Sequence, residues 1–136
     1  MALKQREIID GAFTLPVGAT ALLKGDVCQL SSSALIVGTA NTEAGSVFIT
    51  LEPGAANGHV RCALPGQIVL VRCADANVDE GEYVVCTTAG EVTQIANLTT
   101  ASQYAIGVAQ QASSAEDQYV SVMYWPQVCP KDNTGV

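Results

Sequence analysis

Two stretches of this chain share one layout. "GDVCQLSSSALIV" (residues 25–37) and "GEYVVCTTAGEV" (residues 81–92) each begin with Gly and an acid, run through an apolar segment holding a cysteine, and break at small polar residues. Each reads as a strand, a turn and a returning strand, and helical periodicity is poor in both and elsewhere. Such short strands bury nothing alone, so they have to share a core. The 136 residues suffice for one domain with a substantial core. Aromatics make up only 5% of a chain that is 49% hydrophobic, so the core rests on Val, Ile, Leu and Ala. That composition suits strands packed in thin layers.

The remaining segments follow the same grammar. "SVFITLE" (residues 46–52) is a β-branched run, and Asn57-Gly58 is a dipeptide that favours a tight hairpin turn. In "HVRCAL", Val60, Cys62 and Leu64 alternate with His59, Arg61 and Ala63, the period of a half-buried strand. Pro65-Gly66 marks the next turn, before "QIVLVRC". Residues 46–73 thus read as a three-stranded meander. "NVDEGEYVVCTTAGEVTQI" supplies a second hairpin turning at Ala89-Gly90, and "YAIGVAQQASSAEDQYVSVMYW" supplies the last two strands around a small polar loop, residues 110–118. "NLTTASQYA" (residues 97–105) is the best helix candidate, a turn or two at most. The expected architecture is all-β: a small β-barrel or β-sandwich of short antiparallel strands and hairpins, with an extended N-terminal arm. Residues 1–20 form the arm, 21–126 the barrel domain and 127–136 a C-terminal tail. The two hairpins lead to glycine-bearing segments, "LIVGTA" and "AIGVAQ". The layout suggests an internal duplication, with chance similarity between short hairpins as the competing account.

Charge narrows the partners. Six basic and thirteen acidic residues leave a net charge of -7, against the basic surface that nucleic-acid binding requires. Between Arg72 and Lys131 there is no Lys or Arg, while Asp75, Asp79, Glu80, Glu82, Glu91, Glu116 and Asp117 fall in that interval. The second half reads either as a face that stays in water and repels its copies or as an acidic solvated surface of no special role. The N-terminal "MALKQREIIDGAF" holds no long apolar run, and no segment approaches the roughly 20 apolar residues of a membrane span.

Residues able to do chemistry are few. The five cysteines, Cys28, Cys62, Cys73, Cys86 and Cys129, show no CxxC spacing, and four lie in or beside apolar runs. They read as buried, reduced thiols that pack like small apolar side chains. His59, the single histidine, reads as solvated at a hairpin end. A reactive cysteine needs an exposed electropositive setting, which these strands do not offer. "DANVDEGE" (residues 75–82) gathers four carboxylates without the ligand spacing of a calcium loop, and reads as a solvated turn. There is no phosphate-binding loop and no GxSxG. Neither a catalytic group, a metal nor a cofactor is expected.

With those residues laid out, "LLKGDVCQLSSSALIVGTA" and "VDEGEYVVCTTAGEVTQIANLTTASQYAIGVAQQASSAEDQYVSVMYWP" are similar to the small head decoration, or cement, proteins of tailed bacteriophages. The shared pattern is Gly25-Asp26, Gly81 with Val84, Gly90-Glu91-Val92, Ile106-Gly107-Val108-Ala109, and Val120 with Val122, covering most of residues 22–126. Individually these are turn-and-strand motifs, and their order and spacing carry the likeness. The resemblance implies a non-enzymatic homotrimer, made in the host cytoplasm, that sits on the outer capsid surface of the virion. There it would bind the major capsid protein and stabilise the lattice, with no nucleic acid or membrane partner. The expected capsid-binding residues are Lys4, Arg6, Ile8, Ile9 and Phe13 of the arm, which pair basic with apolar side chains, the alternative being that this segment is an ordinary N-terminal strand of the barrel. The alternatives are a β-sandwich carbohydrate-binding module, with Tyr104, Tyr119, Tyr124 and Trp125 as its aromatics, or a tail or baseplate module of a virion.

Overall fold

The computed structural model describes residues 7, 9, 11–38, 47–87, 89–95 and 103–129. Among them the protein is all-β, with ten short strands in three sheets. β1 (Phe13–Pro16) pairs with β5 (His59–Cys62). β2 (Val27–Ser31) is flanked by β3 (Ala34–Val37) and β4 (Val47–Ile49). β6 (Ile68–Arg72), β10 (Tyr119–Cys129), β9 (Gln103–Ala109), β7 (Tyr83–Cys86) and β8 (Val92–Gln94) form the five-stranded sheet in that order. All of the strand pairs are antiparallel.

Single bridges give the molecule its barrel-like character. Thr50 bridges Cys62 and Val17 bridges Leu35, joining the two smaller sheets into a ring. Cys73 bridges Val92, drawing the end of β6 against β8 and curling the large sheet. Closure of this kind satisfies backbone groups that an open sheet would leave at its edges.

The core has two parts, and β2 is the wall between them. Val27 and its neighbours on β4, Val47 and Ile49, pack with Val69, Val71, Val84, Ile106, Val120 and Val122 of the large sheet. Cys28, one residue on and so on the opposite face, packs inside the ring with Val17, Leu22, Leu35, Val60 and Cys62. This is why "DVCQL" lacks the polar alternation of a half-buried strand: both faces are covered.

The meander expected over residues 46–73 is not formed. β4 and β5 meet only through the Thr50–Cys62 bridge and adjoining hydrogen bonds, and β6 pairs with β10, some fifty residues on. Local turn chemistry was read correctly at Pro65-Gly66, where Gln67 N–H donates to Leu64 O at 3.2 Å and Gly66 has φ +92°. The turn, however, delivers the chain to another sheet. The two-residue hairpin falls not at Asn57-Gly58 but between β2 and β3. There Ser32 and Ser33 take φ +51° and +68°, the mirror-image turn that suits strand twist. Asn57, at φ +61°, sits within a turn closed by Gly58 N–H and Ala55 O. Of the helix candidate, residues 103–105 open β9, and residues 97–102 lie outside the described residues.

The duplicated layout has a topological counterpart. In the first unit β2 is flanked by its return strand β3 and by the next strand, β4; in the second β7 is flanked in the same way by β8 and β9. The glycines do not correspond, because Gly38 follows β3 whereas Gly107 lies inside β9.

Candidate functional site

The most developed polar site lies where the two units meet. Gly25 is the third residue of a turn in which Asp26 N–H donates to Leu23 O at 3.3 Å. That turn carries Asp26 inward, and its side chain is only 3% exposed. One carboxylate oxygen, Oδ2, accepts the Leu23 N–H at 2.8 Å, and the other, Oδ1, accepts from Arg72 Nη2 at 2.8 Å. Thr50 Oγ1 accepts from Asp26 N–H at 3.1 Å and donates to Leu23 O at 2.7 Å. Tyr119 OH donates to Lys24 O at 2.8 Å, closing the turn against β10. A buried carboxylate persists only when it is paired and hydrogen-bonded in this way.

Arg72 ends β6 and is 18% exposed. Its Nη1 also faces Glu91 Oε2 at 3.9 Å and Asp117 Oδ1 at 3.8 Å. One guanidinium therefore holds carboxylates from the head of β2, the turn before β8 and the loop before β10. Burial works against the Arg72 charge, but the Asp26 hydrogen bond and the attraction of Asp26 and Glu91 outweigh it and raise its pKa. Glu91 is also raised, first by burial and then by the neighbouring Asp117 carboxyl, against the pull of Arg72. The chemistry on offer is a structural ionic junction with one cation facing three carboxylates. Sequence reasoning missed it, although a lone arginine closing the apolar run "QIVLVRC" hints at a buried partner.

The groups weighed as nucleophiles are poorly placed for attack. Cys28, Cys62 and Cys73 are free and buried, and Cys86 is buried as well. Burial pushes the Cys62 thiol up to about 11, and raises Cys28, with Asp26 adding to the effect, and Cys73. On β5 the exposed His59 and the buried Cys62 lie on opposite faces. Asp75 accepts hydrogen bonds from Asn77 N–H and Thr93 Oγ1, and among the described residues no three His, Cys, Asp or Glu side chains gather where they could hold a metal ion.

Lys4, Arg6 and Ile8 lie outside the described residues. Ile9 is exposed, whereas Phe13 opens β1, opposite Cys62, with its ring edge-on to Phe48 at 5.7 Å. Glu7 marks the root of the N-terminal segment: its carboxylate meets Lys24 Nζ at 3.4 Å and accepts from Leu70 N–H on the edge strand β6 at 3.4 Å. Gly11 O accepts from Gln67 Nε2. The four aromatics weighed for sugar binding do not form one exposed platform. Tyr124 is buried with its hydroxyl donating to Val47 O, Trp125 is exposed, and the Tyr104 side chain lies outside the described ones.

No known family model matches this chain, and no curated protein matches it.

Proposed function

We propose that this protein is a capsid decoration protein, a non-enzymatic homo-oligomer that binds the outside of a phage head and stabilises the major capsid protein lattice. The resemblance of residues 22–126 to that family supports it, as does a body whose polar junction serves packing.

One observation carries the reading furthest. Every Lys and Arg among the described residues already has a carboxylate on its own body: Lys24 with Glu7, Arg61 with Glu52, and Arg72 with Asp26. Those residues include ten carboxylates against these three bases, so they account for the whole net charge of -7. Asp79, Glu80, Glu82, Glu116 and Asp117 are exposed. The body thus suits contact with water, and charge-directed attachment falls to the three remaining bases, Lys4 and Arg6 beyond the Glu7 root and Lys131 in the C-terminal tail, of which the first two lie beside the apolar anchors of the arm. Several such weak grips, one per copy, combine into tight attachment when copies are linked.

Co-sedimentation with undecorated heads of the cognate major capsid protein tests this. The full chain should pellet with heads, and a chain lacking residues 1–6 should stay in the supernatant with its strand circular dichroism intact, since β1 begins at Phe13. A folded, truncated chain that still pellets would remove the arm from the mechanism, and a full chain that never pellets would remove the capsid.

A further inference from the structure

Asp117 stands apart from the other carboxylates of the Arg72 junction. The Asp26 and Glu91 side chains are 3% and 14% exposed, and that of Asp117 is 72% exposed. Its backbone takes φ +60°, in the left-handed region that side chains disfavour. Its Oδ1 nevertheless faces Arg72 Nη1 at 3.8 Å, and Glu91 Oε2 faces the same nitrogen at 3.9 Å. Both distances exceed a hydrogen bond, whereas Asp26 has a full one, at 2.8 Å from Nη2. Arg72 Nε and Glu91 Oε2 are buried and have no hydrogen-bond partner among the described residues. Buried polar groups are nearly always bonded, so an unmatched donor and acceptor in one cluster, beside a left-handed Asp, mark a place that holds strain.

The groups that face Glu91 are Arg72 from the end of β6, Asp117 from the loop before β10 and Asp26 from the head of β2, with Tyr119 of β10 beside the guanidinium. One positive charge thus meets three carboxylates, and Asp26 already holds it closely. Glu91 and Asp117 repel each other when both are ionised. A proton from solvent on Glu91 removes that repulsion and supplies a donor, so that one carboxyl can bond the other. Burial and then the neighbouring Asp117 carboxyl raise the Glu91 pKa against the pull of Arg72, and the sign agrees: the closed arrangement holds this proton more tightly. Glu91 is pinned by its backbone, since Thr87 N–H donates to Glu91 O at 2.7 Å and Val27 N–H donates to Gly90 O at 2.8 Å. Asp117 is the member free to yield, by leaving the left-handed region and turning into water. Its departure loosens the cover of Cys73, a thiol with no exposure. Asp117 N–H donates to Cys73 O at 2.8 Å, and Cys73 Sγ lies 2.9 Å from Gln118 O and 3.6 Å from Ala115 O. We propose that Glu91 and Asp117 form a proton-operated latch on Arg72, which holds the loop of residues 110–118 over Cys73 in mild acid and lets it open as pH rises.

Alkylation of Cys73 by iodoacetamide, resolved residue by residue with mass spectrometry, tests the latch on the full chain. The wild type is compared with Glu91→Gln and Asp117→Asn at each pH, which cancels the ionisation of the thiol itself. Either variant removes one of the two repelling charges and should keep the loop shut. At neutral pH the wild type should therefore label several-fold faster than both, and the three rates should converge in mild acid. A ratio of wild type to variant that stays constant across the range overturns the latch, because a merely structural contact has no such profile. Two folded variants that disagree overturn it as well, since the device needs both carboxylates. Should Glu91→Gln lose its circular dichroism, Asp117→Asn, altered at an exposed side chain, decides alone.

Discussion

Gly25 and Gly81 hold the same place in the same kind of turn, one at the head of each three-stranded unit, and their surroundings differ. Each is the third residue of a four-residue turn with positive φ, +75° and +86°, and each is followed by an acid that closes the turn through its N–H. Asp26 then points into the junction with Arg72, whereas Glu82 is exposed. A Cβ on Gly25 would lie 2.7 Å from Leu70 O and 2.8 Å from the Tyr119 ring, while one on Gly81 would meet nothing within 4 Å. The same local motif is thus a packed joint in one unit and a solvated corner in the other. Turn geometry needs only the glycine, and the acid's role depends on what arrives from elsewhere in the chain.

The sharpest way to break the comparison is at the acids. Asp26→Ala leaves Arg72 largely buried without its close partner and should cost about 3–5 kcal/mol in urea unfolding. Glu82→Ala should stay within about 0.5 kcal/mol of wild type. Comparable costs at the two sites would mean that the junction contributes no more than a surface charge does.

The glycines come next. Alanine at either position should cost about 1–2 kcal/mol for the left-handed backbone alone. Gly25→Ala should cost about 1–3 kcal/mol more, because its Cβ presses on the β6 backbone and the Tyr119 ring. Equal midpoint shifts for the two variants would show that the turn at Gly25 relaxes freely away from β6.

The smallest effect is at Glu91, which leans from the second unit onto the junction of the first. Its pKa is raised in the folded protein, so that state binds the proton more tightly than the unfolded chain. Its contribution is fully present below the unfolded carboxyl pKa and is lost as pH rises through the folded one. Lowering the pH from neutral into the mildly acidic range should therefore recover stability at this site. Arg72, raised from an already high value, remains charged throughout. Melting temperatures of wild type and Glu91→Gln across that range check the sign: the two should lie closest in the acidic range, and the variant should gain on the wild type as pH rises to neutral. A variant that tracks the wild type in parallel would show that Glu91 does not titrate there.

Strand identity was legible wherever local chemistry suffices. The runs "HVRC", "IVLVR" and "YVVC" are strands, and Pro65-Gly66 and the polar residues after β2 are turns, because backbone preference and side-chain alternation act over a few residues. Pairing was not legible. β6 follows β5 by only a short turn, yet it joins β10, since the partner of a strand is set by which faces can be buried together. The junction was invisible for the same reason: Asp26, Arg72, Glu91 and Asp117 come from four separate segments, and no spacing among them announces a contact.

The sequence by itself determined an all-β chain of short hairpins, two of them built on one layout, with its excess of acid in the second half. Those properties follow from residue preferences and charges that need no neighbours. The tertiary structure alone decided that β2 is buried on both faces, that one glycine-acid turn is a joint and the other a corner, and that Tyr83, Met123 and Trp125 are left exposed on the large sheet. Each of these depends on segments tens of residues apart meeting in space, where the cost of desolvating a charge and the gain from covering apolar surface are settled between neighbours that the chain order does not reveal.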